Sequence, residues 1–238
     1  MGQQDDENLE FLHSVIAHTK AAAGLPADWG DQYVPLGPEE ELEDAPPPAL
    51  LRTGMTTDEL MPYGRTVRTA DGADLLVERV VAPPVVTPRG LVWALDPMSF
   101  EWQGASLKTQ LRGELQPVEV AVLRRETPRG VHVQGAVAVI GDVSKVRRWT
   151  ALPATRLSVD KGCGAFVAGD RVPDVVAIAD AMPWPYVPDG VAPATVDGVV
   201  VGAFFDPGDG PWGYEMMLGH GRHVTPEALL VDLHVLPR

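Results

Sequence analysis

Pro117-Val118-Glu119-Val120-Ala121-Val122-Leu123-Arg124 and Val131-His132-Val133-Gln134-Gly135-Ala136-Val137-Ala138-Val139-Ile140, separated by Thr127-Pro128-Arg129-Gly130, decide the fold class. Two valine-rich runs around a Pro- and Gly-bearing turn read as paired strands. Outward from this hairpin the same grammar repeats. Arg65–Thr69 and Ala73–Val81 flank Asp71-Gly72, a hairpin turn, and Gly90–Leu95 is a short apolar strand ending at Asp96-Pro97. Leu157–Asp160, Ala165–Val167, Val199–Phe205, Tyr214–Leu218 and Leu229–Leu236 read as further strands. Pro173–Met182 predicts a helix, with proline in its first turn and Val175, Val176 and Ala179 on an apolar side. The expected fold is mainly β with some α: an antiparallel sandwich or partly closed barrel over residues 64–238.

The first quarter of the chain differs. Leu9, Leu12, Val15 and Ile16 follow helical spacing behind Asp5 and Asp6, and Gly24 offers a stop, so an amphipathic helix is expected within residues 1–24. Residues 25–63 carry Glu39-Glu40-Glu41 and Pro46-Pro47-Pro48 and read as an acidic, Pro-rich arm, with one short helical turn beginning near Thr56. The chain has 238 residues and a net charge of −14. Residues 1–60 hold thirteen acidic residues against Lys20 and Arg52, a net of −11; the remainder holds twenty against seventeen, a net of −3. That balance argues against sequence-independent nucleic-acid binding, which needs a basic surface, and favours a basic protein partner or simple solubility. No apolar run reaches membrane-spanning length, and the acidic start is unlike a secretory signal, so a cytoplasmic location is expected.

Chemistry concentrates in two glycine-framed loops, Val159-Asp160-Lys161-Gly162-Cys163-Gly164-Ala165-Phe166 and Gly208-Asp209-Gly210-Pro211-Trp212-Gly213-Tyr214-Glu215. Asp160 and Asp209 are candidate general bases or hydroxyl acceptors; the competing reading is that each stabilises its own turn. Glu215, beside Tyr214 and Trp212, completes the catalytic candidates, because aromatics can desolvate a carboxylate and raise its pKa. Candidate ligand contacts are Asp96, Arg148, Trp149, Cys163, Trp212 and Tyr214. Arg148-Trp149 either clamps an anion or pairs with an acidic neighbour. Cys163 is the only cysteine, so an intrachain disulfide is excluded; a reactive thiolate would need His220, His223 or His234 beside it. His220-Gly221-Arg222-His223 lacks zinc-site spacing and reads as a polar turn. His234 alternates with Asp232, which puts both on one face if the strand runs through them. No cofactor or metal is implied, and there is no Walker loop, dinucleotide fingerprint or nucleophile elbow.

The order of these motifs resembles the bacterial family called domain of unknown function 4241. Gly90-Leu91-Val92-Trp93-Ala94-Leu95-Asp96-Pro97, then Gly113 followed by Pro117-Val118, then Arg148-Trp149, then the Val159–Phe166 loop, then Gly208-Asp209-Gly210 and Leu230–Leu236, follow that family's sequence of segments over about residues 75–238. Where the family pattern has a cysteine just before the phenylalanine, Ala165 stands here, and Cys163 lies two positions earlier. The resemblance implies no particular activity. Two classes of function therefore stand. One is a ligand- or protein-binding domain with an immunity-like or regulatory role. The other is a small-molecule hydrolase, lyase or cyclase using Asp160, Asp209 and Glu215.

Overall fold

The computed structural model describes residues 51–69, 72–98, 107–127, 130–159, 163–182, 187, 189–207 and 213–236, all within the compact unit Ala49–Arg238. The expected helix within residues 1–24 lies outside them. The strands, in chain order, are β1 Thr66–Arg68, β2 Asp74–Val86, β3 Leu91–Leu95, β4 Leu107–Gln110, β5 Leu115–Thr127, β6 Gly130–Gly141, β7 Arg148–Ser158, β8 Gly164–Ala168, β9 Val191–Val196, β10 Val199–Phe205, β11 Gly213–His220 and β12 Ala228–Asp232. A seven-stranded sheet has the order β1-β2-β5-β6-β12-β11-β7, and a five-stranded sheet the order β4-β3-β8-β10-β9. Every neighbouring pair is antiparallel. This is the mainly β sandwich that the valine-rich hairpins predict.

The main core lies between the sheets. Val118, Val120, Ile140, Tyr214, Met216, Leu229 and Val231 point from the seven-stranded sheet toward Val92, Phe166, Ala203 and Phe205 of the other. Alternate residues of the same strands build a second apolar layer on the outer face of the seven-stranded sheet, where Ala121, Leu123, Val137, Val139, Trp149 and Leu230 meet Leu51, Leu60 and Met61. A third layer joins Ala165, Val167 and Val201 to Val172, Val175 and Ala179 of the helix Val172–Ala181. Central strands are thus covered on both faces, which is why Ala136–Ile140 is continuously apolar and wholly buried.

The second layer corrects the extent of the expected arm. Residues 51–63 pack on the sheet instead of extending from it. Thr56 and Glu59 close a capping box around the short helix Thr57–Leu60, in which Thr56 Oγ1 accepts the Glu59 amide at 3.3 Å and Glu59 Oε2 accepts the Thr56 amide at 2.7 Å. That turn drives Leu60 into the sheet at 0% exposure. Two strands, β4 and β9, and all of β7 before Leu157 had no counterpart in the sequence reading.

Candidate functional site

The two glycine-framed loops connect the sheets. The first leaves β7 of the seven-stranded sheet and enters β8 of the five-stranded one; the second leaves β10 of the five-stranded sheet and returns to β11. Residues 160–162 and 208–212, including Asp160, Asp209 and Trp212, lie outside the described residues. Their anchors are described, and they are paired at both ends: Ser158 opposes Gly213, and Gly164 opposes Phe205. A Cβ on Gly164 would lie 2.2 Å from the Phe205 ring, so the close approach of β8 and β10 requires glycine there. The Tyr214 hydroxyl donates to the Pro207 carbonyl at 3.1 Å and ties the exit of β10 to the start of β11. Tyr214 itself is buried in the main core.

Asp96, Cys163 and Asp206 gather at this end of the five-stranded sheet. Leu95 opposes Ala165 and Phe205 opposes Gly164, so each of the three lies one residue beyond a paired position. Asp96 Oδ1 accepts the Met98 amide at 2.8 Å, an Asx-type turn. Burial pushes the Cys163 thiol up to about 12, and the negative charges of Asp96 and Asp206 act in the same direction. Cys163 is therefore a protonated thiol at neutral pH. Its Sγ lies 3.6 Å from the Gly164 carbonyl.

Glu215 belongs to a different group on the outer face of the seven-stranded sheet. Arg156, Glu215 and Asp232 oppose one another across β7, β11 and β12 and therefore share a face. Glu215 Oε2 accepts the Leu51 amide at 2.9 Å, and Arg156 Nη2 lies 3.9 Å from Oε1. Asp232 is completely buried and accepts the His234 amide at 3.2 Å. These carboxylates anchor the covering segment. His234 corrects the expected alternation with Asp232: β12 ends at Asp232, and His234 turns out with φ of +58°. Its ring lies against Tyr214, with centroids 5.6 Å apart, and its Nε2 is buried with no hydrogen-bond partner among the described residues.

Arg148 and Trp149 separate as neighbours in a strand do. Trp149 is 1% exposed in the second apolar layer and donates from Nε1 to Thr57 Oγ1 at 3.1 Å, so it is a core residue and not a ligand contact. Arg148 is exposed and opposes His220 at the start of β7. At that end the structure forms a cleft of about 290 Å³ that the sequence reading missed, lined by Arg112, Lys145, Arg147, Arg222, His223 and Glu227. The traceable signal was the recurrence of cations at Lys145-Val146-Arg147-Arg148 and Arg222-His223 in an acidic chain. The described residues contain no cluster of three or more His, Cys, Asp or Glu side chains fit to hold a metal ion. None of their helices is long and apolar enough to cross a membrane. Comparison with known families, curated proteins and solved structures finds no match.

Proposed function

We propose that this chain is a cytoplasmic bacterial binding domain of the family its ordered motifs resemble, with an immunity-like or regulatory role toward a ligand or protein that presents a cationic group. The observation that carries this reading is the double pairing of the loop anchors, Ser158 with Gly213 and Gly164 with Phe205. Anchors paired at both ends put the entry and exit points of two glycine-framed connections at one end of the sandwich, and loops leaving a strand end are where rigid scaffolds present binding groups. Asp96 and Asp206 stand at the same end, and Asp160 and Asp209 belong to the connections. A concentration of carboxylates selects for positive charge.

Binding is favoured over catalysis because Cys163 and Glu215, the reactive candidates among the described residues, are inert or occupied. The Cys163 thiol holds its proton, and Glu215 is engaged by the Leu51 amide and Arg156. The hydrolase, lyase or cyclase reading rests on Asp160 and Asp209 alone and draws on the same pairing of anchors.

The test is a titration of a lysine-rich decapeptide against the parent protein, Asp160→Asn/Asp209→Asn, and a variant with Glu39, Glu40, Glu41 and Glu43 changed to glutamine. The expected outcome is binding weakened at least about a hundredfold in the double Asp variant at an unchanged melting temperature, since each lost charged contact is worth about 1.5–3 kcal/mol. Binding lost only in the glutamine variant would move recognition to the acidic first quarter of the chain. A large fall in melting temperature in the Asp variant would make Asp160 and Asp209 turn-stabilising residues.

A further inference from the structure

The basic cleft lies at the opposite ends of β7 and β11 from the two glycine loops. Its cations come from three segments: Arg112 after β4, Lys145 and Arg147 on the turn before β7, and Arg222, beside His223, in the turn between β11 and β12. Backbone hydrogen bonds lock these segments together. The Arg112 amide donates to the Pro226 carbonyl, Arg147 to His220 and Asp142 to Glu227, each at 2.9 Å. The cations are therefore mounted on a fixed frame and not scattered over a loose surface, and preorganised charges cost less to bring to a ligand.

Two of the cations are already matched. Arg112 Nη1 lies 3.5 Å from Oε1 of buried Glu227, and Lys145 pairs with Asp142. Arg147 and Arg222 form no ion pair with any described residue. Four cations against two carboxylates leave two positive charges facing a concave space, in a protein whose net charge is −14. A surface that only served solubility in this chain would not collect unmatched arginines in one cleft. The volume of about 290 Å³ is just under that of drug-sized ligand pockets, about 300 to 1,000 Å³, and suits only a small ligand. Guanidinium groups present paired donors that fit oxyanions in a bidentate way.

We propose that this cleft is a binding site for a small phosphomonoester dianion, with Arg147 and Arg222 as its two principal contacts. A phosphomonoester carries close to two negative charges at neutral pH, since its second pKa is about 6. It therefore balances the residual charge of the cleft, whereas a sulfonate or carboxylate monoanion balances half of it. The site is independent of the acidic end and survives the failure of any role assigned there.

The experiment titrates phenyl phosphate and benzenesulfonate into the full chain at near-physiological salt, following amide resonances by NMR. Phenyl phosphate is expected to bind saturably, at least about tenfold more tightly than benzenesulfonate, a difference of about 1.4 kcal/mol. The amides of residues 142–148 and 219–227 should shift. Arg147→Glu/Arg222→Glu should remove the preference; both side chains are exposed, so the melting temperature should hold. If the double variant fails to fold, Arg222→Ala alone, in the turn, carries the same expectation of weakened phosphate binding. Non-saturable binding, equal affinity for the two probes, or unchanged affinity in the folded variants would overturn the proposal. So would a single-stranded oligonucleotide that binds more tightly than phenyl phosphate and is lost in the same variants, because the site would then read a macromolecule's backbone.

Discussion

Cys163 sits one residue outside the β8–β10 pairing, between two strand ends that each terminate in an aspartate. Burial and those two charges hold its proton in the folded state, raising the thiol from an ordinary 9.0 to about 12. The consequence for stability has a definite sign. Below pH 9 the thiol is protonated whether the chain is folded or unfolded, and its contribution is fully present. Between pH 9 and about 12 the unfolded chain releases the proton and the folded one keeps it, so stability falls as pH rises. Each pKa unit is worth about 1.4 kcal/mol. Thermal melts from pH 8 upward should therefore show a declining midpoint, and Cys163→Ala should flatten part of the decline while shifting neutral-pH stability little. An identical alkaline slope in Cys163→Ala would mean that other groups account for it; Tyr63, whose phenol is also pushed up by burial, is the first of these. That no sequence motif brings His220, His223 or His234 beside Cys163 already favoured a buried, inert thiol over a reactive one. The role of Glu215 was not legible, because its partner, the amide of Leu51, lies 164 positions away in the chain.

At the scale of elements, the pairing of β8 with β10 is the point where sequence and packing agree most closely. Gly164 must lack a side chain because the Phe205 ring occupies the space a Cβ would fill. Gly164→Ala is expected to cost about 1–3 kcal/mol by forcing Phe205 off its packed position against Phe166, whose ring centroid is 4.9 Å away. Chemical denaturation would measure it; a loss below a few tenths of a kcal/mol would show that the β8–β10 contact has slack. Hairpins with strong turn chemistry were readable, as at Asp71-Gly72, where Gly72 takes φ of +86°. β9 was not. Val191-Ala192-Pro193-Ala194-Thr195-Val196 carries a proline, which reads as a break, yet β9 is the edge of its sheet, where a missing amide donor is tolerated. Pro83-Pro84 sits in β2 for a related reason: the register shifts between Ala82 and Val85, and the bulge absorbs both prolines. The cleft of cations escaped a linear reading because Arg112, Arg147 and Arg222 meet only through backbone bonds between distant segments.

For the molecule as a whole, the decisive boundary falls where an acidic, Pro-rich composition hides a packed segment. Composition alone placed residues 25–63 in an arm. The apolar residues within 51–61 are few, but they pack on the outer layer of the seven-stranded sheet with Val77, Leu123, Val137, Val139 and Leu230. Burying Leu51, Leu60 and Met61 contributes about 1.5–3 kcal/mol each as an upper estimate. Their sum is comparable to the whole stability of a domain, about 5–15 kcal/mol. The Leu51 amide also satisfies Glu215, and Thr57 satisfies the Trp149 indole, so removing the segment leaves two buried polar groups without these partners. Two truncations should therefore behave differently. A variant lacking residues 1–48 is expected to keep a cooperative thermal transition and a strand-dominated circular dichroism spectrum. A variant lacking residues 1–63 is expected to lose the cooperative transition or aggregate, since it exposes a continuous apolar sheet face. Retention of a sharp transition in the shorter protein would show that the outer layer contributes little, and loss of it in the longer one would place part of the core before Ala49.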